Sequence, residues 1–251
     1  MKALRRIPIL RALYRHYLDL TKPAPLVEFK DYDAYWQARI RDGRRGRVLD
    51  RHRIVTDLIE DGDRVLDVGC GEGAFLRFLG ANRPNCKLLG ADIAETAIAE
   101  LRKEGLDGIR LDYSRPLAEQ VSGAWDVVVL MEVIEHVVDA EDLMRQVLAL
   151  HPKRVVVTIP NVGCLKHRLR LMFGGRFPIA SIVYHMKEHV RFWTVTDFRE
   201  WADHLGLKVG SYYGQVDRGD GMVRWLTRRL PGLFADQLVY VLVPKQSNVG
   251  G

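Results

Sequence analysis

The chain has 251 residues, 47% hydrophobic and 28% charged, a balance that excludes an intrinsically disordered polymer and allows a substantial core. Its net charge of +6 favours an anionic partner or surface, without separating nucleic acid from lipid. The three cysteines, Cys70, Cys86 and Cys164, are too few and too scattered to read as a disulfide framework or a zinc pattern, so a reducing, cytoplasmic setting is expected.

The opening segment, "MKALRRIPILRALYRHYLDL", has apolar runs broken by arginine, unlike a signal peptide, and no stretch of the sequence approaches the roughly 20 apolar residues of a membrane span. A cytoplasmic protein is expected, soluble or peripheral at the inner face of the membrane. Within the segment, Leu10, Leu13, Tyr14, Tyr17 and Leu18 make one helical stripe with Arg11 and Arg15 off it. "DYDAYWQAR" follows, and residues 1–44 read as a helical extension or lid. Ile54, Val55, Leu58 and Ile59 then keep helical spacing, and "DGD" turns the chain into the strand "RVLDVG". "GAFLRFLG" predicts a helix, "KLLGADI" a strand, "ETAIAELRKEG" a helix, "GIRLD" a third strand, "WDVVVLM" a fourth, "EDLMRQVLAL" a helix and "RVVVTIP" a fifth strand. Residues 161–192 have no clean period. "TVTDFREWADHLG" returns to a helix, and "LKVGSYYG" and "QLVYVLV" are two closing strands.

Alternating strands and helices predict an α/β fold: a doubly wound, mostly parallel seven-stranded sheet with helices on both faces. The domain is expected over residues 45–245, with substrate-binding insertions near 161–192 and 214–235 and a flexible tail at 246–251.

"VLDVGCGEGAFL" sets Gly69, Gly71 and Gly73 between a strand and a helix, where glycine lets backbone approach a ligand and the helix start offers N–H groups. The spacing is G-x-G-x-G rather than the G-x-G-x-x-G of dinucleotide binders, and Asp67 precedes it. Asp92, ending the second strand, suits a pair of ribose hydroxyls. Asp112, ending the third, suits an adenine amino group or serves only as a solvated turn residue.

With these residues the sequence resembles the class I S-adenosylmethionine (SAM)-dependent methyltransferases from roughly Leu49 to Pro244. A nicotinamide dehydrogenase is the competing reading of the same loop, and the glycine spacing weighs against it. The resemblance implies SAM as cofactor. It implies cofactor contacts from Asp67, Gly69, Cys70, Gly71, Gly73, Asp92, Ile93, Asp112, Tyr113 and Met131, with the helix of Tyr35, Trp36 and Arg39 lying over the cofactor and Arg39 meeting its carboxylate. Tyr35 and Trp36 equally suit a simple anchoring role against the core.

The stretch "MEVIEHV" follows the fourth strand directly. Were it helical, Glu132, Glu135 and His136 would share one face and converge on the incoming methyl acceptor. Small-RNA ribose 2′-O-methyltransferases are similar here, with E-x-x-E-H followed by a His before W-T and then a Phe, matched by Glu132, Glu135, His136, His189, Trp193, Thr194 and Phe198. Ubiquinone-biosynthesis O-methyltransferases have a comparable E-x-x-E-H. By that resemblance the four residues Glu132, Glu135, His136 and His189 would bind Mg²⁺ or a similar divalent cation. His136 acting alone as base, and a purely structural role, are the alternatives.

Beyond Pro160 the chain resembles the methionine-biosynthesis protein MetW and its relatives in "PNVG", "GRFPI", "HVRFWTVTDF" and "LPGLFADQLVYVL". The E-x-x-E-H acids and histidine are not typical of MetW, which favours catalysis over a purely activating role. The expected function is O-methylation of a hydroxyl on a glycan, lipid-linked or other small-molecule acceptor. A non-catalytic SAM-binding partner that activates a biosynthetic acetyltransferase and an RNA ribose 2′-O-methyltransferase are the alternatives, the latter disfavoured because no RNA-binding module is visible, so nucleic acid is not the expected partner. Val223, Leu226 and Leu230 recur at helical spacing among Arg224, Arg228 and Arg229. This stripe and the N-terminal one are expected to pack on the core or on a second subunit of a homodimer, or to bind an anionic membrane surface.

Overall fold

The computed structural model describes residues 30–42, 46–178, 189–216 and 221–245. The N-terminal stripe from Leu10 to Leu18 and the tail at 246–251 lie outside them. The described chain runs through α1 (Tyr32–Arg41), α2 (Asp50–Asp57), β1 (Arg64–Val68), α3 (Ala74–Asn82), β2 (Lys87–Asp92), α4 (Glu95–Lys103), β3 (Gly108–Arg110) and α5 (Leu117–Gln120). It continues through β4 (Val127–Met131), a 3₁₀ turn (Ile134–His136), α6 (Ala140–Leu148), β5 (Arg154–Pro160), α7 (Leu165–Gly174), α8 (Val195–His204), β6 (Leu207–Gly214), α9 (Gly221–Arg229), α10 (Pro231–Phe234) and β7 (Gln237–Pro244).

The seven strands form one sheet in the order β3-β2-β1-β4-β5-β7-β6. Pairing is parallel from β3 to β5, and β7 runs antiparallel to both β5 and β6. The valine runs explain the layering. Side chains alternate across a strand, so Leu66, Val128, Leu130, Val155 and Val157 enter one apolar layer while Val65, Val127, Val129 and Val156 enter the other. Met144 and Val147 of α6 and Phe198 and Ala202 of α8 close the first layer; Phe75, Leu76 and Leu79 of α3 and Ile98 and Leu101 of α4 close the second. Each of these side chains larger than alanine contributes about 1.5–3 kcal/mol through burial. Helices therefore cover both faces, as expected.

Two expectations need correction. The third strand stops at Arg110, short of Asp112. The stretch after Pro160 is not irregular throughout, because Leu165–Gly174 is a helix. Its pattern is inverted: His167 and Arg170 are buried while Leu171, Met172 and Phe173 face out, so an apolar period does not mark its inner face. The stripe on α9 behaves in a similar way. Thr227 is its buried residue and Leu226 is half-buried, whereas Val223 and Leu230 of the stripe, with Met222 and Trp225, are exposed among Arg224, Arg228 and Arg229, so two of the three stripe residues do not pack on the core. Among the described residues, no helix is long and apolar enough to cross a membrane.

Candidate active site

Strand order reverses between β1 and β4, and ligands of such sheets lie beyond the strand carboxyl ends at that crevice. The loop after β1 occupies it, with Gly69, Gly71 and Gly73 at φ 78°, 54° and 78°. Its shape is held from β2. Gly69 and Cys70 N–H donate to Ala91 O at 2.7 and 3.1 Å, and Gly71 N–H donates to Asp92 Oδ2 at 2.8 Å. The other Asp92 oxygen accepts from Ala94 N at 2.9 Å, at the entry to α4. A Cβ on Gly69 would strike Val133, one on Gly71 would strike the Trp36 indole, and one on Gly73 would meet Leu101 at 3.0 Å. The glycines therefore admit neighbouring side chains as well as a ligand. The Cys70 thiol points away from the crevice, into the core beside Gly90, so only its backbone can serve a ligand.

Asp67 is 1% exposed, and neither of its oxygens has a hydrogen-bond partner. Burial, and then the Asp92 charge, push its pKa up to about 8. Asp92 is itself raised, chiefly by burial. Asp112 is exposed, and its Oδ1 accepts from Ser114 N and Oγ at 2.9 and 2.8 Å, which hold its carboxyl below the ordinary range. Tyr113 beside it is exposed, Ile93 is half-buried just past β2, and Met131 ends β4.

Helix α1 lies across the crevice. Trp36 covers Gly71, and Arg39 stacks on Tyr35 and Trp36 at 5.5 and 5.3 Å from their ring centres. Asp33 Oδ1 accepts from Thr96 N at 2.8 Å, tying α1 to α4. Tyr32 stands edge-on to His136 at 6.4 Å, so this one helix reaches from the glycine loop to the end of β4.

At that end the two glutamates part company. Glu132 has φ 57°, a left-handed conformation that costs a non-glycine residue about 1–3 kcal/mol and so requires support. The support comes from Thr158, next to Met131 in the β4–β5 register. Glu132 N–H donates to Thr158 O and Oγ1 at 3.0 and 3.1 Å, and Thr158 Oγ1 donates to Glu132 Oε1 at 3.0 Å. Gln237 Nε2 donates to the other oxygen at 2.5 Å, while Arg51 Nη1 donates to Gln237 Oε1 at 3.1 Å. The expected helical convergence of Glu132, Glu135 and His136 thus does not occur, because the turn begins only at Ile134.

Glu135 is fully buried, and its two oxygens have no hydrogen-bond partner. Burial first and the Glu132 charge second hold its carboxyl well above the ordinary range, with Arg51 acting in the opposite sense. Its carbonyl accepts from Val190 and Arg191 N–H at 2.9 and 3.2 Å, which draws the returning chain, and with it His189, against the turn. The His136 and His189 rings meet edge to face at 4.6 Å. Glu135, His136 and His189 each present a ligand atom within 4.8 Å of the others, while Glu132 stays outside the group. Burial, then the neighbouring His136, lower the His189 pKa to about 4, so His189 is neutral at pH 7. Thr158, Gln237 and Arg51 were not expected here. A lone hydroxyl after the apolar run "VVV" is a sequence signal for Thr158, and none marks Gln237 or Arg51.

The family model of "Methionine biosynthesis protein MetW" matches residues 49–242. The chain belongs to the MetW family. MetW relatives include the "Bifunctional methionine biosynthesis protein MetXA/MetW" of Rhodopirellula baltica, 24% identical over 66% of this chain but only 28% of that longer protein. The "Ubiquinone biosynthesis O-methyltransferase" of Chromobacterium violaceum is 27% identical over 66% of this chain and 71% of that one. A Haloferax volcanii protein solved in complex with the Trm112 methyltransferase activator shares the fold at TM-score 0.60 and 17% identity, covering 87% of this chain and 100% of that one. Together they make this MetW-family chain a class I SAM-dependent methyltransferase by fold and sequence, and SAM the cofactor to test against the site.

The residues fit that cofactor. A buried carboxyl without a donor, Asp67, calls for a cation, and the methionine moiety of SAM carries an ammonium. The pKa of Asp67 gives this two consequences. Below about pH 4 the folded and unfolded chains both hold the proton. From there up to about 8 only the folded chain does, so stability without cofactor falls as pH rises, by up to about 1.4 kcal/mol per pH unit. Pairing with an ammonium ionises the acid, so binding at pH 7 releases a proton. Calorimetry with S-adenosylhomocysteine (SAH) should therefore give a binding enthalpy that varies with the ionisation enthalpy of the buffer. Asp67→Asn should abolish that variation, weaken SAH about tenfold or more, and raise the melting temperature of the free protein at pH 8. Unchanged affinity with the same buffer dependence would contradict the assignment.

Proposed function

We propose that this chain transfers the methyl group of SAM to a hydroxyl oxygen of an acceptor that carries an apolar portion, such as a lipid-linked glycan. The observation that carries the reading is the His136–His189 pair set against buried Glu135 at the end of β4, joined to the glycine loop by Val133 on Gly69. When bound, SAM supplies an electrophilic methyl carbon on a positively charged sulfur. Asp67 holds its ammonium, Asp92 its ribose hydroxyls through lone pairs not directed at Gly71 and Ala94, and Arg39 its carboxylate. Asp112 and Tyr113 flank the adenine. His136 takes the proton of the acceptor hydroxyl, and neutral His189 adds no competing charge beside it.

The donor set of Glu135, His136 and His189 also fits a divalent cation, which would lower the pKa of the hydroxyl. Glu132 would then act as a support rather than a ligand. The approach is apolar. Phe192 lies 6.4 Å from His189 and 5.0 Å from Phe177, and both phenylalanines are exposed.

His136→Ala should leave SAH affinity within about twofold while reducing turnover about 10²- to 10⁴-fold. Turnover is read as labelled methyl groups entering an organic-solvent extract of membrane lipids. The product should resist alkali, as an ether does and a methyl ester does not. Full activity in the variant would remove His136 from the mechanism. A heat of Mg²⁺ or Mn²⁺ binding that disappears in Glu135→Gln would add the cation to the site; its absence leaves His136 as the base.

The exposed apolar and arginine side chains of α9 suit an anionic lipid surface, where such an acceptor resides. The protein should sediment with phosphatidylglycerol vesicles but not with neutral ones, and the double variant Trp225→Glu, Arg228→Glu should stay in solution. Equal sedimentation of the variant would rule this surface out.

Family membership and the fused MetXA/MetW relative favour a second reading, a SAM-binding partner that activates a biosynthetic acetyltransferase without transferring methyl. SAH binding with no labelled product from any extract, together with retained activation in His136→Ala, would support it.

A further inference from the structure

A second group of ligating side chains lies outside the reaction cleft, where the chain leaves β5. Cys164 caps the N-terminus of α7, His167 sits in its first turn, and Asp236 directly precedes β7. One ligand atom from each of the three lies within 4.8 Å of the other two. Cys164 and His167 are 1% and 2% exposed, whereas Asp236 opens to solvent. The His167 Nδ1 is buried with no hydrogen-bond partner, an orphan that a satisfied core histidine would not show. Asp236 presents its oxygens in two directions. Oδ1 lies 3.4 Å from Cys164 Sγ, and Oδ2 lies 3.2 Å from Lys166 Nζ in an exposed ion pair of small energetic weight.

We infer that Cys164, His167 and Asp236 form a binding site for a borderline-soft divalent cation of the zinc class, which clamps the start of α7 to the segment entering β7. Thiolate, imidazole and carboxylate are the ligand types zinc selects, and a thiolate with a carboxylate balances the charge of a dication. Three protein ligands leave one tetrahedral position on the solvent side of Asp236. Lys166 stays on the outer oxygen.

The junction is already built to hold the ligands in place. Asn161 N–H donates to Asp236 O at 2.8 Å, and Asn161 Nδ2 donates to Gly232 O and Ala235 O at 2.9 and 3.0 Å. The Asn161 Oδ1 accepts from Gly163 N at 3.0 Å, just before Cys164. Both ligand-bearing segments are thus fixed before a cation arrives, which lowers the entropic cost of assembling the site. A cation there would secure the two excursions, from β5 to α7 and from α9 to β7, that border the open end of the sheet. The spacing C-x-x-H is too short a pattern to announce a site by itself, and the third ligand is 69 residues beyond His167.

The test is a Co²⁺ titration of the full, metal-stripped chain, read by the near-ultraviolet thiolate-to-cobalt charge-transfer band. The Glu135 group contains no thiol and gives no such band, so the two sites separate. The band should saturate at a single equivalent, vanish on adding Zn²⁺, persist in the double variant Glu135→Gln, His189→Ala, and be lost in Cys164→Ser. Asp236→Asn changes an exposed residue and keeps the thiol, so it guards against a folding failure in Cys164→Ser. It should weaken Co²⁺ at least the roughly tenfold that losing even an outer partner of a metal ligand costs. Zn²⁺ should raise the melting temperature of the parent protein and not that of Asp236→Asn. No band, a band that survives in Cys164→Ser, or a Zn²⁺ effect that survives in Asp236→Asn would overturn the inference.

Discussion

The grip of the Asp92 carboxylate on two backbone amides, Gly71 and Ala94, organises the cofactor end of this molecule. It fixes the loop after β1 to the end of β2 and so determines where the crevice opens. Asp67 on β1 is buried with no donor of its own. Two acids placed close together in a dry site cannot both ionise cheaply, and Asp67 is the one driven towards its neutral form. In this way the fold stores an unmet need for positive charge at the point where the strand order reverses. Helix α1 then completes the enclosure, with Trp36 over Gly71 and Tyr32 at His136.

At the other end of the cleft, the contrast between Glu132 and Glu135 follows from their hydrogen bonds. Glu132 has partners on two strands, Thr158 on β5 and Gln237 on β7, and these partners hold its left-handed backbone. That backbone turns the chain so that Glu135 enters the interior and His136 meets His189. The first glutamate supports the turn, and the second lies buried against the two histidines. The same hydrogen-bonded turn anchors the returning chain through the carbonyl of Glu135, so the position of His189 depends on it as well.

Much of the architecture was legible in the sequence because local and global preferences agree there. The continuous valine runs marked β4 and β5, the boundaries of β6 coincide with "LKVGSYYG", and the acid-then-glycine pattern located the crevice. What escaped was tertiary. Helix α7 buries His167 and Arg170 and exposes Leu171, Met172 and Phe173, so its period points the wrong way. Glu132 looked equivalent to Glu135 because its positive φ is set by Thr158, 26 residues away, and by Gln237, 105 residues away. The roles expected of the glycines captured the need for a missing Cβ but not that Val133 and Trp36 would occupy the space. No local pattern carries contacts of that range.

Asp67 and Trp36 mark where the cofactor is expected, and the most direct measurement is a crystal structure of the chain with SAH bound. It should show the ammonium within hydrogen-bonding distance of Asp67, the ribose at Asp92, and the Trp36 indole moved off Gly71 to lie over the ligand. SAH bound elsewhere, or Asp67 still without a counter-charge beneath an unmoved Trp36, would contradict it.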